Sequence, residues 1–327
     1  MTRALSALVL SLIVAVPAVA QTAATPAPST PAPKTIVNLV RDAIAENDFR
    51  RAEQLARADM KALGKAPLAI EAFSWLGRGA LAKKQYDVAM TYAARTYEMV
   101  EEQLKTRQLD DESHLPIALG AAIETQAHAL AGQGRRSEGL MLLQREIDQF
   151  KGTSITTRLN KNVNLLSLEG QPALSWASPE WLGLKPPTAE ELKGKPVVIF
   201  LWAHWCGDCK KQGPILESLI NKYKDSGITV IAPTQRFGYV EKKKLAGPAE
   251  ELAYIEQVRD QYYPWMKSVS APVSNDVYDK YGVSTTPTYV MIDRDGKVST
   301  YLPGQPTVEE LEPLIQKIIA PATTAPR

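Results

Sequence analysis

Residues 197–214 read VVIFLWAHWCGDCKKQGP. The apolar run 197–202 has the length and bulk of a central strand buried on both faces. It hands over to Trp205-Cys206-Gly207-Asp208-Cys209, after which residues 210–223 carry a helical pattern. These are the only two cysteines in a chain of 327 residues. Two thiols separated by two residues at a strand-to-helix junction read as a dithiol/disulfide redox pair. Cys206 is expected at the helix N-terminus, where backbone N–H groups and the helix dipole favour its thiolate. Cys209, one turn into the helix, is placed to resolve a mixed disulfide.

Two other uses of such a pair are weaker. Zinc wants about four ligands, but there is no second CxxC, and His114, His128 and His204 form no ligand-spaced pair. A purely structural disulfide across two residues would constrain very little of the unfolded chain.

Downstream, Val283-Ser284-Thr285-Thr286-Pro287-Thr288 leads into a hydrophobic segment and then Ile292-Asp293-Arg294-Asp295-Gly296-Lys297. With the WCxxC stretch, this combination resembles the thioredoxin superfamily, and within it the TlpA/ResA-like extracytoplasmic thiol-disulfide oxidoreductases. The resemblance covers residues 171–320. It implies an α/β domain with a central mixed sheet flanked by helices, thiol-disulfide exchange at Cys206 and Cys209, and no cofactor or metal. It also implies a cis Thr286–Pro287 bond beside the cysteines, with the Thr286 backbone pairing with an extended segment of a disulfide-containing client protein. Trp205 would shield one side of the pair, whereas Trp202 reads as core.

The sequence also departs from that family. Gly207-Asp208 stands between the cysteines where an X-Pro pair is usual. Asp208 should raise the Cys206 pKa and favour reductant behaviour. Lys210, Lys211 and a protonated His204 would oppose it. The acids that assist the resolving thiol in relatives would fall at Phe200 and Gln212, so either Asp208 substitutes for them or the proton travels through water.

The N-terminus has the pattern of a processing signal: Arg3, an apolar stretch over residues 4–16, and Ala18-Val19-Ala20 as a small-x-small cleavage site. An uncleaved anchor is the alternative, and a lipoprotein anchor is excluded because no cysteine follows. Residues 21–34 are rich in Pro, Ala, Ser and Thr and read as a linker. The expected compartment is the periplasm or its equivalent, where the environment is oxidising. A formal net charge of +2, with acidic and basic residues interspersed, argues against a nucleic-acid partner.

Residues 35–150 have helical periodicity. AENDFRRA (from residue 45), AKKQYDVA (from 82) and, more faintly, AGQGRRSE (from 131) resemble one another, each a helix end, a polar turn and a helix start. Their spacing is near the 34-residue TPR period without matching it. Three TPR-like helical hairpins are expected, either gripping a partner protein or simply packing on a neighbour. Residues 151–170 read as a polar connector. Residues 233–266 form a long insertion, basic at 242–244 and amphipathic over 250–263. It reads as a solvated crossover helix, with client contact as the alternative. Residues 307–319 should form the closing helix, and 321–327 a polar tail.

The reading that follows is an exported oxidoreductase that reduces client disulfides, needing a membrane electron donor. Its competitors are a dithiol oxidase or isomerase, and a TPR-type interaction protein whose CxxC is a redox latch.

Overall fold

Short polar turns of three residues set the pattern of the N-terminal half. Helices α1 (Ile36–Ala45), α3 (Pro67–Ala82) and α5 (His114–Gly132) are each followed by such a turn and then by α2 (Phe49–Leu63), α4 (Tyr86–Leu104) and α6 (Arg136–Gln149). The middle residue of each turn, Asn47, Lys84 or Gly134, has a left-handed backbone, which reverses the chain in minimal length. The third turn falls one residue later than the sequence match placed it. Five residues beyond each left-handed position stands a small residue, Ala52, Ala89 or Gly139. The two alanines are fully buried, and a Cβ on Gly139 would come within 2.6 Å of the Ala127 carbonyl. Small side chains there let the second helix of each hairpin lie close against the first. The computed structural model describes residues 34–321. The expected signal segment, the linker up to residue 33 and the tail beyond residue 321 lie outside the described residues.

The stretch read as a connector is instead largely helical: α7 spans Thr156–Ser167. Its polar sequence hid this, because Asn162 and Asn164 are buried polar residues whose amides find partners within the fold. Asn162 Nδ2 donates to Arg158 O at 2.9 Å and Asn164 Nδ2 to Lys280 O at 3.1 Å. α7 thereby joins the helical hairpins to α10 (Asn275–Tyr281). The junction is tight. Gly282, with φ of +61°, lies so near the α7 backbone that a Cβ would sit 2.2 Å from Lys161 N.

The second half is a six-stranded sheet in the order β1-β4-β3-β2-β5-β6, formed by β1 (Trp181–Gly183), β2 (Val197–Leu201), β3 (Thr229–Ile231), β4 (Ser270–Pro272), β5 (Thr288–Ile292) and β6 (Val298–Pro303). β2 runs parallel to β3 and antiparallel to β5, so the sheet is mixed as expected. All five β2 residues are buried. Val198 and Phe200 enter a core shared with α8 (Gly207–Lys222), α9 (Pro248–Tyr262) and α11 (Val308–Ile319), while Val197, Ile199 and Leu201 enter a second core with α10 on the other face. Burial on both faces explains why this strand reads as an unbroken apolar run. α11 starts with a capping box between Thr307 and Glu310, which satisfies two of its free amides.

Candidate active site

β2 ends at Leu201, and the chain turns so that Cys206 becomes the N-cap of α8, which begins at Gly207. The helix therefore starts three residues earlier than its apolar pattern indicated, because the redox residues themselves form its first turn. Cys206 and Cys209 are joined by a disulfide, and Cys206 Sγ accepts from the Cys209 amide at 3.0 Å. A thiolate at this position would be stabilised by that amide and by the helix dipole. Both cysteines are nearly inaccessible, with Cys206 3% and Cys209 0% exposed.

The loop before β5 supplies the facing wall. The Thr286–Pro287 bond is cis, and the Thr286 carbonyl lies 3.5 Å from Cys206 Sγ. Pro287 is buried and its carbonyl accepts from Gly304. The two motifs, 80 residues apart in sequence, are brought together because β2 and β5 are neighbours, with Leu201 opposite Thr288.

The charges around the pair can now be placed. Asp208 is not directed at the thiol site; its carboxylate accepts from Lys211 at 3.1 Å on the surface. Lys210 lies over the Tyr262 ring at 4.2 Å. His204, which would oppose Asp208 only if protonated, is 1% exposed. Burial holds its imidazole below the ordinary histidine range, against the opposing pull of Glu251. His204 is therefore neutral at neutral pH and adds no positive charge beside Cys206. The sequence left its protonation open, because exposure was unknown.

Phe200 and Gln212 occupy the positions of the missing acids. Phe200 packs against Tyr289 and Tyr263, with ring centroids 5.2 and 6.4 Å away. Gln212 is buried, accepting from Tyr289 Oη at 2.8 Å and donating to Pro306 O at 3.1 Å. Asp208, exposed and ion-paired, does not sit where a buried proton acceptor would.

Sequence reading missed the part played by the 233–266 insertion. α9 is not a solvated crossover: Glu251, Ile255, Val258 and Arg259 form its buried face. Glu251 is 1% exposed. Its carboxylate accepts from the Phe237 and Gly238 amides at 2.5 and 2.9 Å, and His204 Nε2 lies 3.2 Å away. The insertion loop is also tied down by Arg236, whose guanidinium grips Glu180 at 2.6 and 2.8 Å. So held, Phe237 sets its ring edge-on to Trp205 at 5.5 Å. Trp205 is 49% exposed and presents an aromatic surface beside Cys206. The sequence signal for this arrangement was Glu251 on the same helix stripe as Ile255 and Val258. Among the described residues, no three His, Cys, Asp or Glu side chains converge as metal ligands.

Part of the chain is similar to known proteins. The Redoxin family matches residues 169–315. The thiol-disulfide oxidoreductase ResA of Bacillus cereus is 33% identical over 129 residues, covering 39% of this chain and 66% of the relative. That of Bacillus anthracis is 33% identical over 133 residues with the same coverage. The chain thus spans slightly less than two thirds of the length of these two relatives. A thiol-disulfide isomerase from Corynebacterium glutamicum aligns with 47% of this chain and 99% of its own, at 19% identity and a TM-score of 0.38. With its cysteine pair at the head of α8 and its mixed sheet, the second half of the chain is a thioredoxin-like Redoxin domain, similar to the ResA thiol-disulfide oxidoreductases.

Proposed function

We propose that this protein is exported and reduces disulfides in client proteins through Cys206 and Cys209. The observation that carries the reading is Cys206 at the N-cap of α8, 3.0 Å from the Cys209 amide and 3.5 Å from the Thr286 carbonyl. In the reduced protein, the Cys206 thiolate attacks one sulfur of the client disulfide, and the other client sulfur leaves as a thiolate. Cys209, once deprotonated, attacks Cys206 Sγ, expelling the second client thiolate and closing the Cys206–Cys209 disulfide. Two electrons pass to the client, and two protons balance its thiols. A membrane electron donor would return the pair to the dithiol.

The charges support the reducing direction. With His204 neutral and Asp208 paired to Lys211, the helix terminus is left as the main stabiliser of the thiolate. A thiolate that is only moderately stabilised accompanies a reductant, whereas a strong oxidant stabilises its reduced form. Export is supported by the pattern of residues 1–20. The helical hairpins over 35–150, extended by α7, are proposed as a TPR-like platform for a protein partner.

Equilibrating the Cys206–Cys209 pair against dithiothreitol or glutathione tests the direction. A reductant should show a potential near or below about −270 mV, while a value near about −120 mV would make the protein an oxidant. Cys206→Ser should lower disulfide exchange by at least ~10³-fold, since it removes the attacking sulfur. Exchange that survives this change would eliminate the enzymatic reading.

A further inference from the structure

Three basic side chains converge where the helical hairpins meet the segment leading to Thr286. Arg78 of α3 and Arg158 and Lys161 of α7 line a cleft of about 590 Å³ that Ser284 and Thr285 also line. These side chains are largely withdrawn from water: Arg158 is 17% and Lys161 12% exposed. The acid that lines the cleft is Glu124, and a single oxygen of it, Oε2, accepts from Arg158 Nε at 3.0 Å, Lys161 Nζ at 3.2 Å and Asn162 Nδ2 at 3.1 Å. Glu71 is held by His114 Nδ1 at 2.6 Å. A neighbouring cleft shares Arg158 and Ser284 and carries Asp110 and Glu112, but both acids are already engaged, Asp110 with Ser154 and Glu112 with the first amides of α5.

Positive charge in the cleft therefore exceeds negative charge. Arg78 shows the consequence. Burial, aided by the like charge of Arg158, pushes its guanidinium down to about 10. Its Nε is buried without a hydrogen-bond partner, as is Trp75 Nε1 beside it. Arg41 and Arg78 both lie over the Trp75 ring, at 4.6 and 4.3 Å. A buried cation without full compensation is costly, and an incoming carboxylate with good geometry offsets that cost. Thr285 directly precedes Thr286, whose carbonyl touches Cys206. A chain lying in the cleft is thus only a few residues, at about 3.3 Å each, from the disulfide site.

We propose that this cleft binds an acidic segment of the client, a run of Asp or Glu flanking its disulfide, so that the helical half selects clients by their carboxylates. The proposal rests on the thiol-disulfide reading above and adds a class of substrate to it.

Two peptides with the same internal disulfide, one flanked by four glutamates and the other by four glutamines, test it on the full reduced chain. The acidic peptide should be reduced about tenfold faster at low ionic strength, and the advantage should shrink to within about twofold at 0.5 M NaCl. Arg78→Gln should cut the Glu-to-Gln rate ratio several-fold, and Arg78→Lys should restore most of it. Should Arg78→Gln fail to fold, Lys161→Gln, which removes another cation lining the cleft, tests the same ratio. Equal rates for the two peptides, or a ratio unchanged in the variants, overturn the proposal. If neither peptide exchanges with the cysteines, the oxidoreductase reading fails by itself. Fluorescence anisotropy of a labelled, cysteine-free tetraglutamate peptide on the full chain then decides about the cleft. Salt-sensitive binding weakened by Arg78→Gln upholds it, and no binding overturns it.

Discussion

Glu251 and Glu124 are both carboxylates drawn into the interior, and the two halves of the molecule treat them differently. Glu251 is held mainly by neutral groups, two backbone amides and the imidazole of His204. It fastens the insertion loop that sets Phe237 against Trp205. Glu124 is surrounded by cations, and three donors converge on one of its oxygens. The first arrangement is local and complete, so it gives a rigid wall beside the cysteines. The second is unbalanced, and its excess positive charge is available to a ligand.

The comparison can be broken most readily by removing each charge in turn. Glu251→Gln replaces an acceptor oxygen with an NH₂ facing backbone N–H groups and should cost about 2–4 kcal/mol. Measured by urea unfolding, that loss should be the same at low and high salt. Glu124→Gln should cost less, about 1–3 kcal/mol, because the site is partly open to water. Here about 0.5 M NaCl should recover part of the loss by screening the cations left behind. Equal salt responses in the two variants would erase the distinction.

Acid titration separates the same two sites by pH window. For His204, the folded pKa lies below its unfolded value because of burial. The unfolded chain then binds more protons below about pH 6.5, so stability falls as pH drops through that region. His204→Gln should flatten the loss between about pH 7.5 and 5.5. For Glu124, burial pushes the carboxyl up, but Arg158, Lys161 and Arg78 together hold it well below the ordinary carboxylate range. Its contribution is present above about pH 4.3 and is lost as pH falls further. Glu124→Gln should therefore leave the upper window unchanged and remove part of the steep loss below about pH 4.

The smallest effect is expected at Asp208. Because its charge is directed to Lys211 in an exposed pair, Asp208→Asn should change the rate of Cys206 attack and its pH profile by less than about threefold. A shift of a full pH unit in that profile would show that the carboxylate acts on the thiol after all.

Legibility followed the range of the interactions. The apolar run of β2, the CxxC at its end and the closing helix over 307–319 are local features, and each was readable. α7 was not, since its buried asparagines look like loop residues until their partners across the fold are known. Glu251 was unreadable for the same reason: its partners, the Phe237 and Gly238 amides and His204, lie 14, 13 and 47 residues away.

Motif and resemblance thus point to a thioredoxin-like domain, to the cysteine pair and to the proline loop, because a two-residue gap between cysteines at a strand–helix junction has few other uses. Tertiary structure decides which charges reach those sulfurs. His204 is neutral because it is buried, Asp208 is neutralised because a helix turn places Lys211 beside it, and Arg78 lacks full compensation because packing brings α3 and α7 together. Burial and long-range pairing set the electrostatics of a site, and neither is visible in the order of residues.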